Sequence, residues 1–169
     1  VGAPRCVVVC VTDANIWINL HNADLLDAAF ELGYTWRTPN IVVRDEVLTV
    51  DRDLLVDLGL DVRNLSGDEL NRIATLNGRY PNPSPKDLSV LVVADADDGI
   101  VMSGDGPLRT AAEEEDMIYH GDLWILDRLV DEEIIAEPRA ATALRAMVQQ
   151  GARLPEDLVE ERLQDWQSS

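Results

Sequence analysis

The stretch from Val7 to Asn15, VVVCVTDAN, constrains the chain most. A short run of β-branched residues bounded by polar turn-formers is the pattern of a strand buried on both faces of a parallel sheet. The run ends in a carboxylate. Asp13 is therefore expected at the carboxyl end of a central strand, where open α/β sheets collect their ligands. The plainer alternative is that Asp13 merely ends the strand or caps the next helix.

Further along, strand and helix signals alternate. Asn22 to Gly33 reads as a helix with Leu25, Ala28, Ala29 and Leu32 on one face, Asn22 as cap and Gly33 as stop. Tyr34 to Thr38 reads as a short strand. Pro39 then opens a helix containing Ile41, Val42, Asp45 and Glu46. Val62 to Leu65 is a strand, and Ser66 with Glu69 forms a capping-box pattern for the helix that follows. Ser84, Pro85 and Asp87 have the cap, first-position proline and first-turn acid of another helix start. Leu88 to Ala94 is valine-rich like a strand, but its cap makes it a buried helix. Ile100 to Ser103 and Met117 to Tyr119 are strands, with helices Leu108 to Glu115 and Leu123 to Glu133. Two amphipathic helices, Pro138 to Gln150 and Pro155 to Trp166, flank a stop at Gly151. The alternation gives an α/β layered fold with a mostly parallel sheet.

A length of 169 residues suits one domain. No apolar run has the length of a membrane span, and the opening VGAPRC lacks a signal-peptide pattern. Cys6 and Cys10 lie on one extended segment, which cannot bring them together as a disulfide; they read as buried small residues. A reducing, cytoplasmic setting fits. The net charge is -18, from 32 acids and 14 bases, and Lys86 is the one lysine. Such acidity argues against passive nucleic-acid binding at ordinary salt. It fits a very salty cytoplasm, where screening shortens electrostatics to local contacts, or simply an acidic surface.

Four acids occupy comparable places: Asp13 after the first strand, Glu46 on an early helix, Asp87 in a first helical turn, and Asp105 after Ile100 to Ser103. Clustered carboxylates imply a cation, and phosphodiester cleavage uses hard divalent ions bound through oxygen. Spacing alone does not single these four out among 32 acids. The motifs do. Thr12-Asp13-Ala14-Asn15 follows the first strand, Asp87 starts a helix, and Ser103-Gly104-Asp105-Gly106-Pro107-Leu108 follows a later strand. In this the chain resembles the PIN-domain ribonucleases, the family that includes VapC-like toxins of type II toxin–antitoxin pairs.

The resemblance covers roughly Val7 to Glu133. It implies a three-layer α/β/α fold, a PIN-like domain over residues 1–135, and a C-terminal helical extension, 136–169, packed on the same domain. It implies further that Asp13, Glu46, Asp87 and Asp105 ligate Mg²⁺ or Mn²⁺, with Asp45 a rival to Glu46. Asn15 and Ser103 would orient those carboxylates. The expected activity is metal-dependent cleavage of RNA, with an antitoxin as possible partner. A homodimer is also expected, to which Trp17, Ile18 and Leu20 could contribute. Arg109, one turn past Asp105, could touch a substrate phosphate or pair with Asp105 or Glu113.

Other residues carry blander expectations. Asp122 reads as the N-cap of Leu123 to Glu133, and Asp95, Asp97 and Asp98 as a solvated charge run. His21 and His120 are isolated and expected on the surface or in loops. The four tryptophans are expected in core or interface packing. The alternative to a nuclease is a catalytically silent PIN-like interaction module whose acidic surface meets a basic partner. A phosphatase or phospho-acceptor role for Asp13 is disfavoured, because Asn15 stands where such phosphatases carry a second Asp.

Overall fold

The computed structural model describes residues 8–45 and 50–167. Among these, β1 (Val9–Thr12), β2 (Thr35–Pro39), β3 (Asp61–Arg63), β4 (Ile100–Met102) and β5 (Tyr119–His120) form one sheet. Its order is β3-β2-β1-β4-β5, and every pairing is parallel. The chain lays down β1, β2 and β3 toward one edge, then returns to place β4 on the other side of β1. That reversal opens a crevice beyond the carboxyl ends of β1 and β4.

The helices up to β4 are α1 (Ala14–Asn22), α2 (Leu26–Phe30), α3 (Asn40–Asp45), α4 (Arg52–Leu58), α5 (Gly67–Arg79) and α6 (Pro85–Ala96). Those after it are α7 (Gly106–Glu114), α8 (Asp122–Asp131), α9 (Glu137–Gln149) and α10 (Glu156–Gln167). Helix α6 packs on β1, β2 and β4, with α5 and α7 beside it. Every residue from Leu88 to Ala94 is buried, so α6 is apolar all round, as a helix within a core must be. Helices α1, α2, α8 and α9 pack together as the other helical layer, and α10 packs on α9. The result is a three-layer α/β/α fold around an all-parallel sheet. Ala140, Leu144, Met147, Val159 and Trp166 belong to the same hydrophobic cluster as β1.

The capping signals translate directly. Ser66 and Glu69 close a capping box on α5, and Ser84 and Asp87 close one on α6. The start of the chain differs from expectation. Asp13 caps a helix that begins at once, and Asn22 ends that helix instead of starting one. Ile16, Trp17 and Ile18 weaken a helical reading by propensity, but burial overrides it. Trp17 and Leu20 are fully buried and so belong to the core, while Ile18 is half-buried. Trp17 stacks on Phe30 with ring centroids 5.3 Å apart and meets Trp36 edge-on at 5.6 Å. Its Nε1 donates to Thr38 Oγ1 at 2.9 Å, which satisfies the buried indole. Pro39 is the last residue of β2, and the expected helix follows it at once, from Asn40. The last strand lies slightly later than its apolar run suggests, at Tyr119–His120. Cys10 is buried, which pushes its thiol up to about 12; Cys6 and Glu46 lie outside the described residues.

Asp97 is also unlike its expected role. It is not a solvated charge but the centre of an ion-pair network. Arg63 bonds both oxygens of Glu69, at 2.9 and 2.8 Å, and both oxygens of Asp97, each at 3.2 Å. Arg37 joins Asp97 at 3.3 Å and Asp61 at 2.7 Å. Asp95 pairs with Arg72. The network ties β2 and β3 to the start of α5 and the end of α6. Bonds from Arg63 hold the Glu69 carboxyl down to about 2. A lowered folded-state value means that this stabilisation is complete above the unfolded value of about 4.3 and fades as pH falls toward 2. Glu69→Gln keeps the capping oxygen but removes the charge. It is expected to lower unfolding free energy by about 1.5–3 kcal/mol at pH 7. The difference from wild type should shrink in urea melts repeated near pH 2.5; an equal difference at both pH values would contradict the charge argument.

Candidate functional site

Asp13 is the first residue beyond β1. Its N–H donates to the Met102 carbonyl at 3.2 Å, extending the ladder between β1 and β4 by one bond. The residue is only 3 % exposed. Oδ1 accepts from the Ile16 N–H at 3.2 Å, capping α1, and Oδ2 accepts from the Ser103 hydroxyl at 2.5 Å. Ser103 is fully buried, and its Oγ also accepts from the Asp105 N–H at 3.0 Å. One hydroxyl thus ties the end of β1 to the turn after β4. Burial dominates at Asp13 and pushes its carboxyl up to about 7. The Ser103 and Ile16 bonds oppose that rise, and the like charges of Asp122 and Asp87 add to it.

Asp105 and Asp87 are half-buried at the starts of neighbouring helices. Asp105 caps α7, its Oδ2 accepting from the Leu108 N–H at 3.0 Å. Asp87 and Ser84 exchange two bonds of 3.1 Å at the start of α6. Asp13, Asp87 and Asp105 therefore stand at three helix N-termini, where the helix dipole favours an anion.

Asp122 corrects the sequence reading. The N-cap of α8 is Gly121, not Asp122. Asp122 is the next residue and is 2 % exposed. Its Oδ2 accepts from the Asn19 side-chain amide at 2.9 Å, and its Oδ1 is buried with no hydrogen-bond partner. Burial raises this carboxyl to about 6, against the Asn19 bond. The signal for it was available: Asp122 follows the carboxyl end of β5 much as Asp13 follows β1. An acid just before a helical run reads equally well as a cap, which hid it. The amide that holds an acid here is that of Asn19. Asn15 is exposed and lines the same cleft as Asn19, Asp105 and Asp122.

Arg109 pairs with neither Asp105 nor Glu113. Its guanidinium carbon lies 4.7 Å from the centroid of the Tyr119 ring, a cation–π contact. His120 is not a loop residue; it is half-buried on β5 and stacks on Trp124 with centroids 4.6 Å apart. Burial and the nearby Arg109 both lower its pKa. His21 is exposed at the end of α1.

Two carboxylates shut away from water, one with an orphaned oxygen, are costly unless a cation offsets them. All the donors are oxygens, the set preferred by Mg²⁺ and Mn²⁺. Asp13 and Asp122, with Asp87 and Asp105 beside them, could hold such an ion. Among the described residues no group of three or more His, Cys, Asp or Glu side chains is already gathered as ligands. Asp87 and Asp105 each turn one oxygen back onto their own helix, and that capping competes with ligation. The burial cost has a direct readout. Asp122→Asn retains an oxygen for Asn19 and removes a buried charge. In metal-free protein at pH 8 it is expected to raise the melting temperature by about 2–4 °C or more. A lower melting temperature would show that the carboxylate is compensated in the free protein.

No curated protein matches the chain. A family model described as a PIN domain matches residues 9–168, which takes in all five strands and the helices through α10. With the parallel sheet, the switch point beside β1 and the acids at strand ends, that match places the chain in the PIN-domain family, with its nuclease-type fold.

Proposed function

We propose that the chain is a metal-dependent endoribonuclease acting at the crevice between β1 and β4. The reading is carried by the pair of buried carboxylates, Asp13 and Asp122, set beside Asp87 and Asp105 at the switch point of the sheet. PIN-domain nucleases typically use divalent metal ions. Asp13, Asp87, Asp105 and Glu46 would hold Mg²⁺ or Mn²⁺, and Asp122 joins that set on the strength of its unpartnered oxygen. When bound, the ion supplies a water of lowered pKa and neutralises charge developing on the phosphoryl group.

The protein's own groups have separate tasks. Ser103 holds Asp13 in one orientation and keeps one of its oxygens occupied. Asn19 does the same for Asp122, so both acids are fixed before substrate arrives. The N-termini of α1, α6 and α7 lower the cost of gathering like charges. Burial of Asp13 keeps bulk water from its carboxylate and strengthens its attraction to a cation.

A toxin role with a small antitoxin partner, cytoplasmic residence and homodimer formation belong to the same reading. Among the described residues no helix is long and apolar enough to cross a membrane. Purified protein is expected to cleave single-stranded RNA with Mn²⁺ and not with EDTA. Asp13→Ala and Asp105→Ala are each expected to lower the rate by about 10²-fold or more, the scale for losing a group that positions charge in the transition state. Expression of the wild type, and not of Asp13→Ala, should arrest growth. Titration calorimetry without Mg²⁺ or Mn²⁺ binding, together with no cleavage at any salt, would leave the silent interaction module as the better account.

A further inference from the structure

The chain is strongly acidic, and many of its arginines are already used. Arg37, Arg63, Arg72, Arg79, Arg128 and Arg162 all pair with carboxylates. Arg109 and Arg153 do not, among the described residues, and both line one cavity beside the acids. That cavity is small, about 210 Å³, below the roughly 300–1,000 Å³ of a drug-sized pocket, so it suits part of a longer ligand lying across its mouth. Its walls include His120, Trp124 and Leu154. Its walls also include Arg162, which Asp127 holds through bonds of 2.9 and 2.7 Å.

Arg153 comes from the loop between α9 and α10. Gly151 turns that loop at φ +94°, a conformation that a side chain at this position would strain. The turn sets Arg153 on the wall of two spaces at once: the cavity with Arg109, and the cleft with Asn19, Asp105 and Asp122. Gly104 and Asp122 also line both, so the two spaces share a wall. The cavity therefore offers two cations, a stacked aromatic pair and an apolar wall, in direct continuity with the acids.

We infer that this cavity is a subsite for one nucleotide of single-stranded RNA next to the bond being cut, with its phosphate on Arg109 and Arg153 and its base against Trp124. The inference rests on the nuclease reading for the identity of the ligand. It explains how so acidic a chain holds a polyanion: the overall charge is screened by salt, and two local cations set where the strand lies. It also gives the C-terminal helices a task, because Arg153 reaches the cleft only through the α9–α10 turn.

The test separates binding from cleavage. Anisotropy of a short fluorescein-labelled single-stranded oligoribonucleotide is measured in EDTA across a salt series. Arg109→Ala and Arg153→Ala should each weaken binding. Each should also flatten the slope of log affinity against log salt by about 0.7, the value for one lost phosphate contact on a single strand. Trp124→Leu should weaken binding by about 5-fold, the low end for a base–aromatic contact, because His120 and Tyr34 already stack on that ring. Arg145→Ala, exposed on α9 and away from the cavity, should match wild type. With Mn²⁺, Arg153→Ala should raise KM and leave kcat nearly unchanged. If Arg109→Ala and Arg153→Ala bind like wild type while Mn²⁺ cleavage is intact, the subsite is overturned and the nuclease stands. If wild type binds through both arginines but never cleaves, the nuclease falls and the subsite stands. Absence of any RNA binding by wild type overturns the subsite.

Discussion

A carboxylate buried at the end of a strand cannot be left alone, and much of this molecule answers to that constraint at Asp13. One oxygen is given to the first turn of α1 and the other to Ser103. Ser103 in turn fixes the backbone of Asp105, so β1 and β4 end in a single hydrogen-bonded unit. The two bonds do not offset the cost of burial, since the carboxyl still rests near 7. The imbalance is local and persistent. It matches the general observation that strongly perturbed groups in clefts collect where chemistry is done.

The surrounding fold makes this cost tolerable. Helix α6, apolar on every side, anchors the sheet from behind. The Arg63 network ties β2 and β3 to α5 and α6 at the edge away from β4. The buried acids at the crevice are thus set on a scaffold whose charged groups at that edge are paired. The same division appears among the arginines. Arg37, Arg63, Arg72, Arg79, Arg128 and Arg162 are spent on carboxylates, and the two beside the crevice are not.

Much of this was legible in the chain. Capping signals located α5 and α6, and the cap before Leu88 outweighed a valine-rich run that favours strands by propensity. The layered parallel sheet showed in the alternation, and the family resemblance pointed to Asp13, Asp87 and Asp105, which the structure sets at three helix starts. What could not be read was set by distant contacts. Helix α1 was hidden because Ile16, Trp17 and Ile18 suit a strand better, and only packing against Phe30 and Trp36 makes them helical. Asp97 looked solvated because Arg63 lies 34 residues away. Asp122 looked like a cap because its partner, Asn19, is on the far side of the chain. Short-range rules see a residue's neighbours in sequence, and these three are defined by neighbours in space.

The separation has its own consequence. Ser103 lies 90 residues from Asp13, and Asp122 lies 103 residues from Asn19. The pocket thus has no local precursor, because every element that shapes it comes from a different stretch of the chain. During synthesis, β1 leaves the ribosome long before β4, β5 and the turn after α9 exist. A growing chain therefore carries the acids without the arrangement that could make them act. High contact order is usually counted as a cost in folding speed. In a protein that would cut RNA, it also works as a delay, keeping the nascent chain harmless to the message that encodes it.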